Sequence, residues 1–369
     1  MKILFTLFRL TLCGICLVPS LGFATVNKTL NFMNWAVWID PIVISSFEAE
    51  TGINVNQTFF SDQNMLKAKL LAQNNGLDLV VPTLNDMQQE IPMGLFQPID
   101  KSKIPNYKNL SPALMQIAAE VDPGNKYGVI YDWGTMGIGY NVDMIKKILG
   151  PDIKIDDWKF VFDPKYLSKL QGCGIAYYDT YSTIYGLTLF YLGRNPNSKN
   201  IADFQYATDY LMGIRKYLTY FSNSNYMFDL ASGNLCMVLG YSGDVLRAQT
   251  YAKEAGKNIN IKFVIPKQGT QIVFDMMAIP SDAPHPDNAY KFINYVLQPK
   301  QAAKIANYIF APGAVKGESQ YYNDILKTPV ATPPDAFIKQ KLFNINLPPP
   351  SINQDVNRLW LEVRYGIKE

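Results

Sequence analysis

Asp275 is the residue in this sequence that most plainly asks for a chemical partner. It interrupts Ile272-Val273-Phe274-Asp275-Met276-Met277-Ala278-Ile279, a strand-like apolar run in which a carboxylate is drawn at least partly out of water and has to be compensated. A lysine or arginine of the chain would serve, and so would a cation carried by a ligand. At an effective dielectric near 20, a carboxylate and an ammonium about 4 Å apart attract by roughly 4 kcal/mol before desolvation is subtracted. Asp244 follows the strand-like Leu239-Gly240-Tyr241-Ser242-Gly243 and precedes the helix-like Val245-Leu246-Arg247-Ala248. Alone it reads as a helix N-cap, and its place at the carboxyl end of a strand also turns it toward any cleft there. Trp35 and Trp38 stand in a loop just after another strand, and Tyr241 adds a further aromatic. Aromatic faces attract alkylammonium groups by about 0.5 to 2 kcal/mol and pack on methylenes; ordinary packing beneath a loop would use the same residues.

Machinery for catalysis is thin. The only histidine, His285, sits in the proline-flanked turn Ala283-Pro284-His285-Pro286-Asp287, a poor setting for a Ser-His-Asp triad, and a cysteine nucleophile would lack its usual histidine. A single histidine, with the one Cys-x-x-Cys spacing (Cys13 and Cys16) confined to the N-terminal apolar stretch, leaves no zinc site expected. The run Tyr131 to Asn141 carries Gly134, Gly137 and Gly139, whose spacing fits neither phosphate-loop fingerprint, so it reads as a flexible crossing between two lobes. No metal or cofactor is expected.

The elements that must hold these residues alternate in type. Leu30 to Asn34 reads as a strand, Asp40-Pro41 opens a helix that Gly52 closes, with Ile42, Val43 and Phe47 inward, and Ile53 to Phe59 is a second strand. A helix from about Asp62 to Asn74 buries Met65, Leu66, Leu70 and Leu71, and Leu77 to Val81 is a third strand. Such alternation means parallel strands with crossover helices, an α/β lobe. Ligands of such sheets bind outside the carboxyl ends of the strands, here Trp35 to Trp38 and Thr83 to Asn85. A second α/β region runs from about Met136 to Val264, and Gln271 to Ile279 is again strand-like.

The chain of 369 residues opens with Met1-Lys2, an apolar stretch around Arg9, Pro19 and Gly22-Phe23-Ala24. This is the pattern of a signal peptide cleaved after Ala24, and the apolar run is too short for a membrane anchor. The formal charge of +3 drops to about +1 without Lys2 and Arg9, which gives no pull toward nucleic acid. Two cysteines, Cys173 and Cys236, stay in the exported product, where a bridge between them or two buried thiols are both open.

At these residues the sequence resembles the periplasmic polyamine-binding proteins of ABC transporters, the putrescine-binding type more than the spermidine-binding type. The resemblance rests on Asn34-Trp35, Phe47-Glu48-Ala49-Glu50-Thr51-Gly52-Ile53, Asp78-Leu79-Val80-Val81-Pro82, Gly137-Ile138-Gly139-Tyr140-Asn141-Val142-Asp143, Gly243-Asp244-Val245 and Phe274-Asp275 before Ala278-Ile279-Pro280. It implies a type II periplasmic binding protein: two α/β lobes, 25–134 with about 268–313 and 135–267 with about 314–369, closing on a ligand in the cleft between them. It also implies a monomeric, non-enzymatic receptor in the periplasm that delivers a polyamine to an inner-membrane permease. The family's amine site maps onto Trp35, Trp38, Thr83, Tyr241, Asp244 and Asp275, and its cysteine pair onto Cys173 and Cys236. Two acids do not carry over: Ala36-Val37 stand where a serine and an aspartate are expected, and Ser182 or Thr183 where a glutamate is expected. Asp86, Asp132 and Asp179 are candidates to compensate. Within the same fold, capture of ferric iron by Tyr177 and Tyr178, or a signalling role without transport, are the competing expectations.

Overall fold

The computed structural model describes residues 28–367; the leader and its cleavage site lie outside them. Strands β1 (Thr29–Trp35), β2 (Asn54–Phe60) and β3 (Leu79–Val80) pair in parallel around β1, as the alternation of short apolar runs and helices requires. The helix Pro41–Thr51 starts where Asp40 accepts a hydrogen bond from the Ile42 N–H and stops at Gly52, whose φ of 67° is left-handed. The helix Gln63–Leu71 is capped in the same way by Asp62. Their buried faces are narrower than the sequence suggests. Val43, Ile44 and Phe47 point inward in one and Leu66 and Leu70 in the other, whereas Ile42, Met65 and Leu71 are exposed. A helix lying on one face of a sheet buries a single stripe, and these three residues fall about 100° or more to its side.

The Gly-containing crossing is the strand β4 (Gly128–Asn141), which belongs to both lobes. It is followed by β5 (Ile175–Tyr177), β6 (Tyr220–Phe221), β7 (Met237–Tyr241), β8 (Ile261–Val264), β9 (Thr270–Ala278) and β10 (Leu342–Phe343). Gly128 to Thr135 pairs antiparallel with β9, and Met136 to Asn141 pairs with β7 and β8, giving the order β2-β1-β3-β9-β4-β7-β5-β6. Flexibility is therefore not what the glycines supply. A Cβ at Gly137 would lie 2.4 Å from Phe263, and one at Gly139 would lie 2.6 Å from Val245, so both are spaces for neighbouring side chains.

Each half of the sheet has its own core. Phe32, Phe47, Val80, Trp133, Phe274 and Phe292 belong to the first, and Trp158, Tyr177, Tyr185, Leu239 and Trp360 to the second. At about 1.5 to 3 kcal/mol for each large apolar side chain buried, two such clusters make two independently packed lobes. The C-terminal segment passes between them, with Val315, Ile338 and Leu342 in the first core and Ile345, Val356, Leu359 and Val363 in the second. Cys173 and Cys236 form a disulfide with Cα atoms 5.5 Å apart. No helix among the described residues is long and apolar enough to cross a membrane.

Candidate functional site

The two crossing strands bring two acids to one place. In the register of β4 and β9, Asp132 faces Asp275 immediately after an irregularity at Ile130 and Asp132, and side chains directly opposite in an antiparallel pair share a face. Thr83, just past β3, closes a β-bridge with Asp275. Trp38 donates its indole N–H to Asp132 at 2.9 Å, and the Tyr131 hydroxyl donates to the Trp38 carbonyl at 2.6 Å, which pins the loop after β1. Trp35 packs on Phe60 with ring centres 4.4 Å apart. Its N–H is buried without a hydrogen bond of its own, yet lies close enough to Asp275 to favour the charged carboxylate.

The second lobe supplies Asp244 and an aromatic wall. Asp244 sits inside the first turn of the helix Ser242–Glu254, and the residue preceding the helix is Tyr241, so Asp244 is not the N-cap. Its carboxylate is freed from capping and instead accepts the Tyr226 hydroxyl. That hydroxyl also accepts the Tyr241 N–H at 3.3 Å. Tyr241 meets Tyr178 edge to face at 4.5 Å, and Tyr178 meets Tyr226 at 6.2 Å. The two sets of residues are within electrostatic reach: after burial and Asp244, Asp275 contributes to lifting Tyr178 to about 12, and both acids act on Tyr241. Thus Trp38 and Thr83 are tied to the facing Asp132 and Asp275, and Asp244 and Asp275 both act on Tyr178 and Tyr241.

Burial dominates the electrostatics of this cleft. It raises Asp275 to about 7, against the opposing effect of the two indole N–H groups. Burial and then the charge of Asp275 push Asp132 well above the ordinary carboxylate range, because two acids facing each other in a dry site cannot both ionise freely. Asp244 is raised by burial, against the Tyr226 hydrogen bond and the charge of Arg247. Among the described residues no lysine or arginine closes an ion pair with Asp132, Asp244 or Asp275. The internal-partner reading of Asp275 thereby loses its partner.

Other sequence candidates are placed elsewhere. Asp179 is held by Arg364 at 2.8 Å and by the Trp360 N–H at 3.2 Å, so its charge is already balanced. Tyr177 is fully buried and donates to the Val161 carbonyl, which removes it from any iron-ligating pair. The His285 ring and N–H both engage Asp78, a structural role. Val37 is 61% exposed with φ 59°, and Ser182 and Thr183 are buried in the helix Tyr181–Tyr191.

Two participants lay beyond the sequence reading. Tyr226 precedes Asp244 by 18 residues on a separate helix, and no local pattern links them. Arg247 follows Asp244 by one helical turn, a spacing that places both on one face. Its guanidinium carbon lies 5.6 Å from the Trp38 ring centre and 5.4 Å from that of Phe310, and it donates to the Ile309 carbonyl at 3.1 Å. It therefore reaches from the second lobe to the first.

The sequence profile of the bacterial extracellular solute-binding protein family matches residues 43–331. The chain is 39% identical over 356 residues to the putrescine-binding periplasmic protein PotF of Escherichia coli, covering 96% of each. To the putrescine-binding periplasmic protein SpuD of Pseudomonas aeruginosa it is 36% identical, covering 98% of each. Its fold matches the substrate-binding protein PotD of a spermidine/putrescine ABC transporter from Streptococcus pneumoniae with a TM-score of 0.80 at 24% identity, over 92% of this chain and all of that one.

Proposed function

Since this chain belongs to the bacterial extracellular solute-binding protein family, we propose that it is a periplasmic receptor that captures putrescine or a related polyamine and delivers it to an ABC permease. It is a binding protein of the two-lobed type II fold and not an enzyme, in keeping with its relatives. The observation that carries the ligand class is the grouping of Asp132, Asp244 and Asp275 among aromatic side chains with no ion pair to a lysine or arginine among the described residues. A linear amine answers each feature of that cleft. Its ammonium groups replace the missing counter-ions through charge-assisted hydrogen bonds, and its methylenes lie against Trp35, Trp38 and Tyr241. The proposed ligand contacts are these three aromatics with Thr83, Asp244 and Asp275.

The lobes meet at the crossings, near residues 134–135 and 268, so a ligand touching both acids touches both lobes and favours their closure. Leader removal after Ala24, release into the periplasm as a monomer and handover to the permease complete the proposal. Calorimetric titration of ligand-free protein with putrescine, cadaverine, agmatine, spermidine and spermine tests it. Binding of at least one is expected, and no heat from any of them would refute it.

A further inference from the structure

Resting on the amine-capture reading, we propose that Asp86, with Glu90 one helical turn deeper, forms the subsite for the second ammonium of the ligand. The chain lacks acids at Val37 and Thr183, so a dication with one ammonium held by Asp275 and Asp244 needs another carboxylate along the cleft for its second. Of the three further aspartates near by, Asp179 is bound by Arg364 and Trp360, and Asp132 faces Asp275 itself. Asp86 is left, and its position is suited. It belongs to the first turn of the helix Leu84–Glu90, where Thr83 is the cap. The Thr83 hydroxyl donates to the Asp86 carboxylate, and the Thr83 backbone is bridged to Asp275. Asp86 is therefore joined to Asp275 through a single residue.

Mutual influence orders the acids along the cleft. Tyr178 and Tyr241 feel Asp244 and Asp275; Asp275 feels Asp86; and Tyr181, from the opposite lobe, feels Asp86 as well. The sequence of stations is Asp244, Asp275 with Asp132, then Asp86, with Tyr181 across from the last. The helix beginning at Tyr181 is the one that carries Thr183, so Asp86 supplies from the first lobe the charge the second lobe lacks.

Glu90 points independently to a missing cation. It is 1% exposed and both its carboxyl oxygens are buried without a hydrogen-bond partner. Residues four apart share a helix face, and the charge of Asp86 adds to burial in raising Glu90 to about 8. Lys67 is the cation close to both acids, but it spends its Nζ on Gln89 at 3.2 Å and closes no ion pair with either among the described residues.

The test compares a diamine with its one-armed analogue. Putrescine and butylamine share one ammonium and a four-carbon stem, so their affinity ratio isolates the second charge. In the unaltered chain putrescine should bind the tighter of the two. Asp86→Asn, which keeps a group able to accept from Thr83, should weaken putrescine by about 10- to 100-fold, the range for removing one side of a charge-assisted pair, and leave butylamine within about twofold. Glu90→Gln should narrow the same ratio by a smaller factor. Asp275→Asn should instead weaken both amines. If Asp86→Asn changes neither ligand, or weakens both equally while its thermal unfolding matches the unaltered chain, the subsite is refuted with amine capture intact. If the unaltered chain binds no amine, both readings fall.

Discussion

Acidifying the solution from pH 8 to pH 5 should release the amine, and the size of the effect follows from Asp275. Burial raises this carboxyl to about 7, so at pH 8 about nine molecules in ten carry the charge and at pH 5 about one in a hundred does. A ligand that requires the ionised form should lose affinity by about 100-fold over this span, close to 2.7 kcal/mol. The amine contributes little, since alkylammonium groups stay protonated throughout. Asp132 is raised as well, by burial and by the charge of Asp275, and an ammonium that draws charge onto it makes the change steeper. Binding near pH 7 should therefore release at least about half a proton, the protonated share of Asp275 at that pH. Titration calorimetry in two buffers of different ionisation heat reads this directly. Stability of the ligand-free chain moves the other way: a carboxyl raised on folding stabilises fully below its unfolded value, and that stabilisation is lost as pH rises through about 7. Amine should restore it most at pH 8. Affinity constant between pH 5 and 8, with no buffer-dependent heat, would refute the reasoning.

Further predictions bear on the frame around the cleft. Cys173→Ser should lower the unfolding free energy by about 4 kcal/mol from the loop of 63 residues it leaves open, read in denaturant melts with and without reductant. Gly137→Ala should cost about 1 to 3 kcal/mol, because its Cβ would fall 2.4 Å from Phe263 and 2.6 Å from the Val264 carbonyl; circular-dichroism melts measure it. Arg247→Met keeps the stem but removes the charge over Trp38 and the bond to Ile309, and should speed amine dissociation by about three- to thirtyfold in stopped-flow fluorescence. Val37→Asn should stabilise the chain by about 1 kcal/mol, since a β-branched residue is ill suited to a left-handed φ of 59°, as an increase in melting temperature would show.

Much of the architecture was readable because short strands and capped helices write themselves locally. Asp40-Pro41 and Gly52 bound the first helix in both sequence and structure. Buried faces were less legible: Ile42, Met65 and Leu71 are as apolar as their buried neighbours, and only the sheet beneath decides which stripe is covered. The glycines of β4 suggested freedom because sequence shows no neighbours; Phe263 and Val245, more than a hundred residues later, are what they make room for. The same limit applies to the cleft. Trp35, Trp38 and Asp244 were marked by chemistry at strand ends and Asp275 by its charge inside an apolar strand, whereas the pairing of Asp132 with Asp275 depends on the register of two strands far apart in sequence. Tyr226, the donor to Asp244, has no sequence signal near its partner. Asp86 was one of three aspartates the sequence offered to compensate for the missing acids, and only the bridge of Thr83 to Asp275 and the fold-dependent burial of Glu90 set it apart.

A crystal structure of the chain grown with saturating putrescine tests the central claim most directly. A diamine is expected between the lobes, with one ammonium within about 3 Å of the Asp275 and Asp244 carboxylates and the carbon chain against Trp35 and Trp38. An empty cleft at saturating putrescine, or an amine bound away from these aspartates, would contradict it.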